Sequence, residues 1–314
     1  MEGTRFYSLL YIDEVNNINT NLRGSIDPID VYVSCASLCS KTFGAAGAVF
    51  CVITNDESHV RRRLDVLQLH NVSIVSHVFR RSVPQNIPFY SAHFKLDIFE
   101  AFGHGVFGER IGLVDLDTVL FKRLPTTDQL AVYDISDQIF AVYDRRRIVS
   151  DMEMISGRHL PNARWYGGEF VMGSAATFRL ASEYIELYWP NYIKNASTLS
   201  HIGDEIIVSS ALNAACADGA LINDYGEVGL VARWWTARTM HRQAAFDAVE
   251  AAALLHLPAD KLFLAKEARY QFDPQGFLSR FRRHALKKII PRVVVGLGES
   301  LLGRSTKFTP RLFS

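Results

Sequence analysis

Apolar runs closed by polar turns set the rhythm of the first half of the chain. Residues 6–12 (FYSLLYI) predict a buried strand ending at Asp13. Residues 14–28 are polar and rich in asparagine, with Gly24 and Pro28 as breakers, so a loop is expected. Small and apolar residues at helical spacing over 30–43 predict a helix with Asp30 as its N-cap and Gly44 past its end. Residues 48–54 (AVFCVIT) predict a second strand, closed by Asn55 and Asp56, then a polar helix over 57–70 and a third strand over 72–77. This strand–helix alternation predicts a parallel sheet covered on both faces.

The pattern continues with a helix over 91–102 and a glycine-rich connection over 103–108. The run 110–114 (RIGLV) predicts a short buried strand that delivers Asp115-Leu116-Asp117 at its end. Further strands are expected over 139–143 (IFAVY, closed by Asp144) and 168–172, a helix over 202–217, and short strands over 220–222, 229–231 and 254–257, the last carrying His256. No repeat and no low-complexity linker divides the chain. The expectation is one α/β domain over 1–273 and a C-terminal extension over 274–314.

Composition narrows the class. The chain has 314 residues, 48% hydrophobic and 21% charged, which excludes a disordered chain. The net charge of +1 hides a split: 274–314 carries 9 Lys/Arg against 1 Asp/Glu, or +8, leaving −7 on the rest. A basic tail on an acidic body suggests a separate anionic partner for the tail. Cys35, Cys39, Cys51 and Cys216 form no C-x-x-C pair, so zinc-ribbon spacing is absent and reduced core thiols of a cytosolic protein are expected. Neither a signal-peptide pattern nor an 18-residue charge-free apolar run is found.

Two carboxylates spaced D-x-D at a strand end point to the same side of an extended chain. Strand ends of parallel α/β sheets are ligand sites, and paired carboxylates there suit a hard divalent cation. The plainer alternative is a solvated acidic turn.

At this point the chain resembles the GT-A fold glycosyltransferases, and in pattern the family 8 enzymes, which include glycogenin-like and bacterial lipooligosaccharide hexosyltransferases. Residues 90–99 (YSAHFKLDIF) are similar to the helix before that family's metal motif, and RIGLVDLDTVLFKRL to its Y-L-D-x-D-x-x-V segment. RWYGGEFVMGSAATF is similar to its F-N-S-G-V segment, HIGDEIIVSSALN to its D-Q-D-x-x-N helix, and LLHLPADKLF to its late H-x-x-G-x-x-K element. Gly167-Gly168-Glu169 stands where the family has Asn-Ser/Ala-Gly, Glu205 where it has Gln, and Pro258 and Asp260 are unusual.

The resemblance implies a mixed, mainly parallel Rossmann-like sheet flanked by helices. It implies transfer of a hexose from a UDP-sugar to a glycan or lipid-linked hydroxyl, with retention of anomeric configuration. Asp115, Asp117 and His256 would ligate Mn2+ or Mg2+. Lys261 would meet the diphosphate, and Lys95 the donor sugar or phosphate. Tyr11, Asp13, Asn55, Leu116 and Gly168 would line the donor site, with Asp56 a weaker candidate. Asp204 and Glu205 would sit by the reacting carbon, and Glu169 near the acceptor channel as a base, an acceptor contact or a cap. For Asp13, Asn55 and Asp56, capping and turn roles are the alternative; for Asp204 and Glu205, the helix dipole is.

Two rivals stand beside this reading. The D-x-D-x-V segment also resembles the haloacid-dehalogenase phosphatase motif, with Asp115 as the nucleophile, although that motif closes the first strand of its fold. A non-catalytic sugar-nucleotide-binding module is the other. P-loop and dinucleotide-binding glycine spacings are absent. Residues 277–290 (FLSRFRRHALKKII) form a basic amphipathic pattern that Pro291 should end. With the apolar stretch to 302 this suggests an anionic membrane surface as partner, on the inner face of the membrane for a cytoplasmic protein. The alternative is a helix packed on the domain. Nucleic acid is not expected, because the stretch lacks interleaved stacking aromatics.

Overall fold

The computed structural model describes residues 3–13, 27–237 and 239–301, with side chains up to Lys288. In chain order the elements are β1 (Arg5–Leu10), α1 (Pro28–Ala45), β2 (Val49–Thr54), α2 (Glu57–Leu67), β3 (Ser73–Ser76), α3 (Lys95–Gly103), β4 (Arg110–Val114), β5 (Thr118–Leu120) and β6 (Leu130–Asp134). There follow α4 (Ser136–Ile139), α5 (Arg145–Ser156), β7 (Tyr166–Ser174), α6 (Ala175–Asn195), α7 (Asp204–Ala217) and β8 (Ile222–Asp224). The last are β9 (Val231–Arg233), α8 (Phe246–Ala251), β10 (Leu254–His256), α9 (Lys261–Glu267) and α10 (Pro274–Leu301).

Seven strands form the main sheet in the order β3-β2-β1-β4-β7-β6-β8. All neighbours are parallel except β7, which runs antiparallel to both β4 and β6. The expected mixed, mainly parallel α/β sheet is therefore present. β4 is flanked on both sides, which explains its uninterrupted apolar run. A second sheet, β5-β10-β9, aligns His256 with Thr118 on one side and Arg233 on the other. This small sheet carries residues separated by more than a hundred positions to the end of β4.

Helices cover both faces. α3 packs on α6 through Phe99, Phe102 and Phe178, all buried, with ring centroids 5.0–5.2 Å apart. α1 lies behind the D-x-D segment. The Cys39 thiol donates to the carbonyls of Leu116 (3.2 Å) and Thr118 (3.3 Å), and Cys35 to that of Lys261 (3.5 Å). All four cysteines are free, as expected, and these two are buried.

Several expectations are corrected. The cap of α1 is Asp27, whose side chain accepts from the Ile29 amide at 2.9 Å. Proline at the first helical position fixes the start there, and Asp30 instead pairs with Arg63. The expected strand over 139–143 is a helical turn: the Phe140 and Tyr143 amides donate to Ser136 and Ile139. The strand is β6, and the tetrapeptide Ala-Val-Tyr-Asp occurs in both places, at 131–134 and 141–144. The first copy has β7 and β8 to pair with; the second has no strand neighbour among the described residues, and its Asp144 caps α5. The helix expected over 91–102 is a 3-10 turn (Tyr90–Phe94) leading into α3. The loop expected over 14–28 falls, up to residue 26, outside the described residues.

α10 continues through Pro291 to Leu301 rather than ending there: proline's fixed φ is helical, although its ring removes one amide hydrogen bond and crowds the carbonyl four residues back. Its apolar stripe faces inward: Phe277, Phe281 and Ala285 are buried, and Phe281 packs on Phe263, Phe246 and Trp234. Arg282, Arg283 and Lys287 are exposed. Among the described residues no helix is long and apolar enough to cross a membrane.

A buried carboxylate anchors α10. Asp260 accepts from Thr236 (2.5 Å), His284 (2.8 Å) and Lys288 (2.7 Å). Burial would raise the Asp260 carboxyl, but these partners hold it below 3.8. Asp260→Ala should cost about 2 kcal/mol, as for a lost set of charge-assisted hydrogen bonds, measured by urea denaturation. Because the folded pKa is depressed, this contribution is complete above about pH 4 and is lost as pH falls through the folded value. A gap between wild type and variant that stays constant down to about pH 2 would show that the anchor is not ionic.

Candidate functional site

The chain dictates the site's position. Where β4 ends, the Asp115 amide donates to the Glu169 carbonyl at 3.1 Å, so β4 and β7 stay joined one residue past the strand. β5 then turns toward β10, and the Leu257 amide donates to the Asp117 carbonyl at 2.9 Å. Asp115, Asp117 and His256 consequently converge, with one ligand atom from each within 4.8 Å of the others. His256 Nε2 lies 3.2 Å from Asp117 Oδ1 and 4.0 Å from Asp115 Oδ2.

Three fixed cations surround this group. Lys95 Nζ lies 2.7 Å from Asp115 and 3.2 Å from Asp204, and donates to the Gly168 carbonyl at 2.9 Å. Lys261 donates to Asp117 and to the Pro258 carbonyl. Arg233 grips both oxygens of Glu169 at 2.6 Å. Glu205 accepts from the Trp165 indole (3.0 Å) and the Gly168 amide (3.2 Å). Five carboxylates (Asp115, Asp117, Glu169, Asp204, Glu205) thus face three fixed cations, leaving two negative charges in excess when His256 is neutral.

The titration shifts follow from these contacts. Burial raises Asp115, with Lys95 opposing and Asp117 reinforcing. Burial would also raise Asp117, but Lys261 and His256 hold it well below the usual range. Burial raises Asp204 against the pull of Lys95. For His256 burial disfavours the charged form, yet Asp117 and Glu169 lift it to about 9. Lys95 and Lys261 are raised despite burial by their carboxylate partners.

Donor chemistry supports a divalent ion at this place. The set is two carboxylates and one imidazole, which can hold a divalent cation, and the local charge excess with His256 neutral matches one such ion.

The group opens onto a cavity of about 670 Å³. Of the residues proposed from the sequence, Tyr11, Lys95, Leu116, Asp204, Glu205 and Lys261 line it. Tyr11 is stacked on Phe94 at 3.9 Å. Asn55 and Asp56 do not line it. The Asn55 side chain brackets residue 12, accepting from its amide at 2.7 Å and donating to its carbonyl at 2.9 Å. Asp56 caps α2. Asp13 lies near Tyr90 and adds to the rise that burial gives its phenol. Gly168 takes part through its backbone alone. Glu169, expected near the acceptor channel, is fully buried, so a base or acceptor-contact role has no access to the cavity.

Sequence reading missed Arg233, Trp165, Tyr143, Trp235 and His241, all of which line the cavity. No local pattern marks them. Arg233 reaches the site only through the register of β9 on β10.

No protein-family model matches the chain, and no curated protein matches its sequence. Its structure is similar to that of the galactosyltransferase LgtC in complex with donor and acceptor sugar analogues, with a TM-score of 0.50 and 11% identity over 84% of this chain and 96% of that one. An active-site mutant of LgtC is matched with a TM-score of 0.49 and 11% identity over the same shares. The fold is therefore the GT-A fold that the sequence led us to expect. The phosphatase rival loses the fold it requires, since Asp115 closes the fourth strand rather than the first.

Lys95→Met would leave Asp115 and Asp204 facing each other without their shared cation. The loss of a buried counter-ion should lower stability in EDTA by about 3 kcal/mol, and Mn2+ should restore part of it by binding the folded state. Urea melts with EDTA and with Mn2+ measure both. A variant as stable as wild type in EDTA would remove Lys95 as the cluster's counter-ion.

Proposed function

We propose that the protein is a metal-dependent glycosyltransferase that moves a hexose from a UDP-sugar to a hydroxyl of a glycan or lipid-linked acceptor, with retention of anomeric configuration. One observation carries this reading: Asp115, Asp117 and His256 converge at the strand ends of a GT-A fold, on a cavity of about 670 Å³. That volume is in the range of small-ligand and cofactor sites. LgtC, whose fold this chain shares, is a galactosyltransferase solved with donor and acceptor sugar analogues.

Asp115, Asp117 and His256 would hold Mn2+ or Mg2+, which when bound offsets charge on the departing diphosphate. Lys261 stands beside Asp117 and offers charge-assisted hydrogen bonds to phosphate oxygens. Lys95 bridges Asp115 and Asp204, so it holds the Asp204 carboxylate at a fixed place beside the sugar. Asp204 and Glu205 orient the hexose hydroxyls. Tyr11 and Leu116 form the apolar wall for the nucleotide, with Asp13 close to it. The exposed basic side chains of α10 would meet an anionic membrane surface by charge attraction, because its buried apolar stripe is taken up by the domain.

Binding and slow hydrolysis of UDP-, GDP- and CMP-sugars, with Mn2+ or with EDTA, test the reading. Selective UDP-hexose binding that EDTA abolishes is expected. Asp117→Ala should lose transfer by at least about 100-fold, in line with loss of a group that stabilises the transition state. A folded wild-type protein that binds no nucleotide sugar would overturn the proposal. Phosphate release from small phosphoesters would then favour the phosphatase, and its absence a non-catalytic module.

A further inference from the structure

Glu169 does not line the cavity, unlike its partner Arg233, yet it touches the one imidazole in the candidate metal group. Both oxygens of Glu169 accept from Arg233 at 2.6 Å, and the Glu169 side chain is 0% exposed. Its Oε1 also lies 3.3 Å from His256 Nδ1. The other ring nitrogen, Nε2, faces Asp117 and Asp115 in the cavity. The imidazole therefore has carboxylates at both ends, one pair facing the cavity and one behind. The rear contact is close but out of line, so Nδ1 is a buried nitrogen without a hydrogen-bond partner. Such a nitrogen is costly unless a small rotation of the ring completes the bond.

The sequence makes room for this arrangement. A Cβ on Gly167 would run into the Glu169 carboxylate, and one on Gly168 would lie 2.8 Å from Asp204 and 3.3 Å from Lys95 Nζ. Gly167-Gly168 thus lets the carboxylate fold back beneath β10 while leaving space on the cavity side. Arg233 is aligned with His256 across β9 and β10, so the guanidinium and the imidazole share a face and meet the same carboxylate.

We propose that Glu169, clamped through both oxygens by Arg233, is a positioning residue for His256: it fixes the imidazole proton at Nδ1 and turns the Nε2 lone pair toward a divalent cation at Asp115 and Asp117. The inference rests on the metal reading of that group. An isolated structural ion pair would need Arg233 and Glu169 only. Here the oxygen nearest the imidazole, Oε1, is also the one that accepts from Arg233 Nε at 2.6 Å. Carboxylates behind a ligating histidine set its tautomer and orientation, and their loss commonly weakens metal binding about 10–100-fold.

The test uses the full chain and Mn2+ alone. Isothermal titration calorimetry should give an Mn2+ Kd about 10–100-fold weaker for Glu169→Gln than for wild type. Because a single change leaves the Arg233 charge buried and unpaired, a Glu169→Gln/Arg233→Met double variant removes both charges together. It should fold by circular dichroism and show the same weakening. Nitrogen-15 NMR of the metal-free protein, at a pH where the His256 imidazole is neutral, should find its proton on Nδ1 in wild type and a mixture of tautomers in the double variant. A folded double variant with an Mn2+ Kd within twofold of wild type, and His256 still protonated only at Nδ1, would overturn the positioning role alone. A folded wild type that binds no Mn2+ would overturn the metal reading itself and this inference with it.

Discussion

Carboxylates gathered at the end of a buried sheet repel one another and lose their hydration, so cations must be placed between them before the site can exist. Lys95 from the start of α3, Arg233 from β9 and Lys261 from the start of α9 supply these charges. Arg233 and Lys261 are buried and Lys95 is largely so, and each bonds a different carboxylate. Lys95 is the most connected, reaching Asp115, Asp204 and the Gly168 carbonyl together. The remaining negative excess sits where Asp115, Asp117 and His256 face the cavity. A site balanced inside the protein except at its mouth is one prepared for a cationic occupant.

The topology is what lets distant segments share this balance. A wholly parallel sheet would end its strands in a row with helices between them. The antiparallel β7 instead turns its first residues toward the end of β4, and the small sheet folds β10 back against β5. Gly167-Gly168 at the start of β7 permits the close approach of Glu169 and Asp204 to their partners. The departure from the resemblance at this triplet thus has a steric cause. Glu169 needs the space that a side chain at 167 would fill.

α10 extends the same logic to the C-terminal side. Asp260 precedes Lys261 directly and ties that segment to His284 and Lys288. The helix that carries most of the basic residues of 274–314 is therefore joined, through a buried carboxylate, to the segment that presents Lys261. Its apolar stripe is occupied by Phe263, Phe246 and Trp234, leaving the charges outward. An amphipathic pattern has one face to bury, and here the domain uses it.

The sequence by itself determined the apolar strands, the strand-end acidic pair and the order of the chemistry-bearing segments. These are local: burial on both faces requires an uninterrupted apolar run, and alternation sets Asp115 and Asp117 on one side. His256, Lys95 and Lys261 were also legible, through resemblance rather than pattern. The tertiary structure alone decided the rest. The two copies of Ala-Val-Tyr-Asp differ only in whether neighbouring strands exist to pair with, so one is β6 and the other a turn. Arg233 carries no local signal, and Glu169, singled out in the sequence, gives no sign of its partners, because these meet only when β9 pairs with β10 and His256 comes against Glu169. Asn55 and Asp56 read as cleft residues because polar strand ends look alike in sequence. Hydrogen-bond partners, which only the packed chain supplies, separate a brace or a cap from a binding residue.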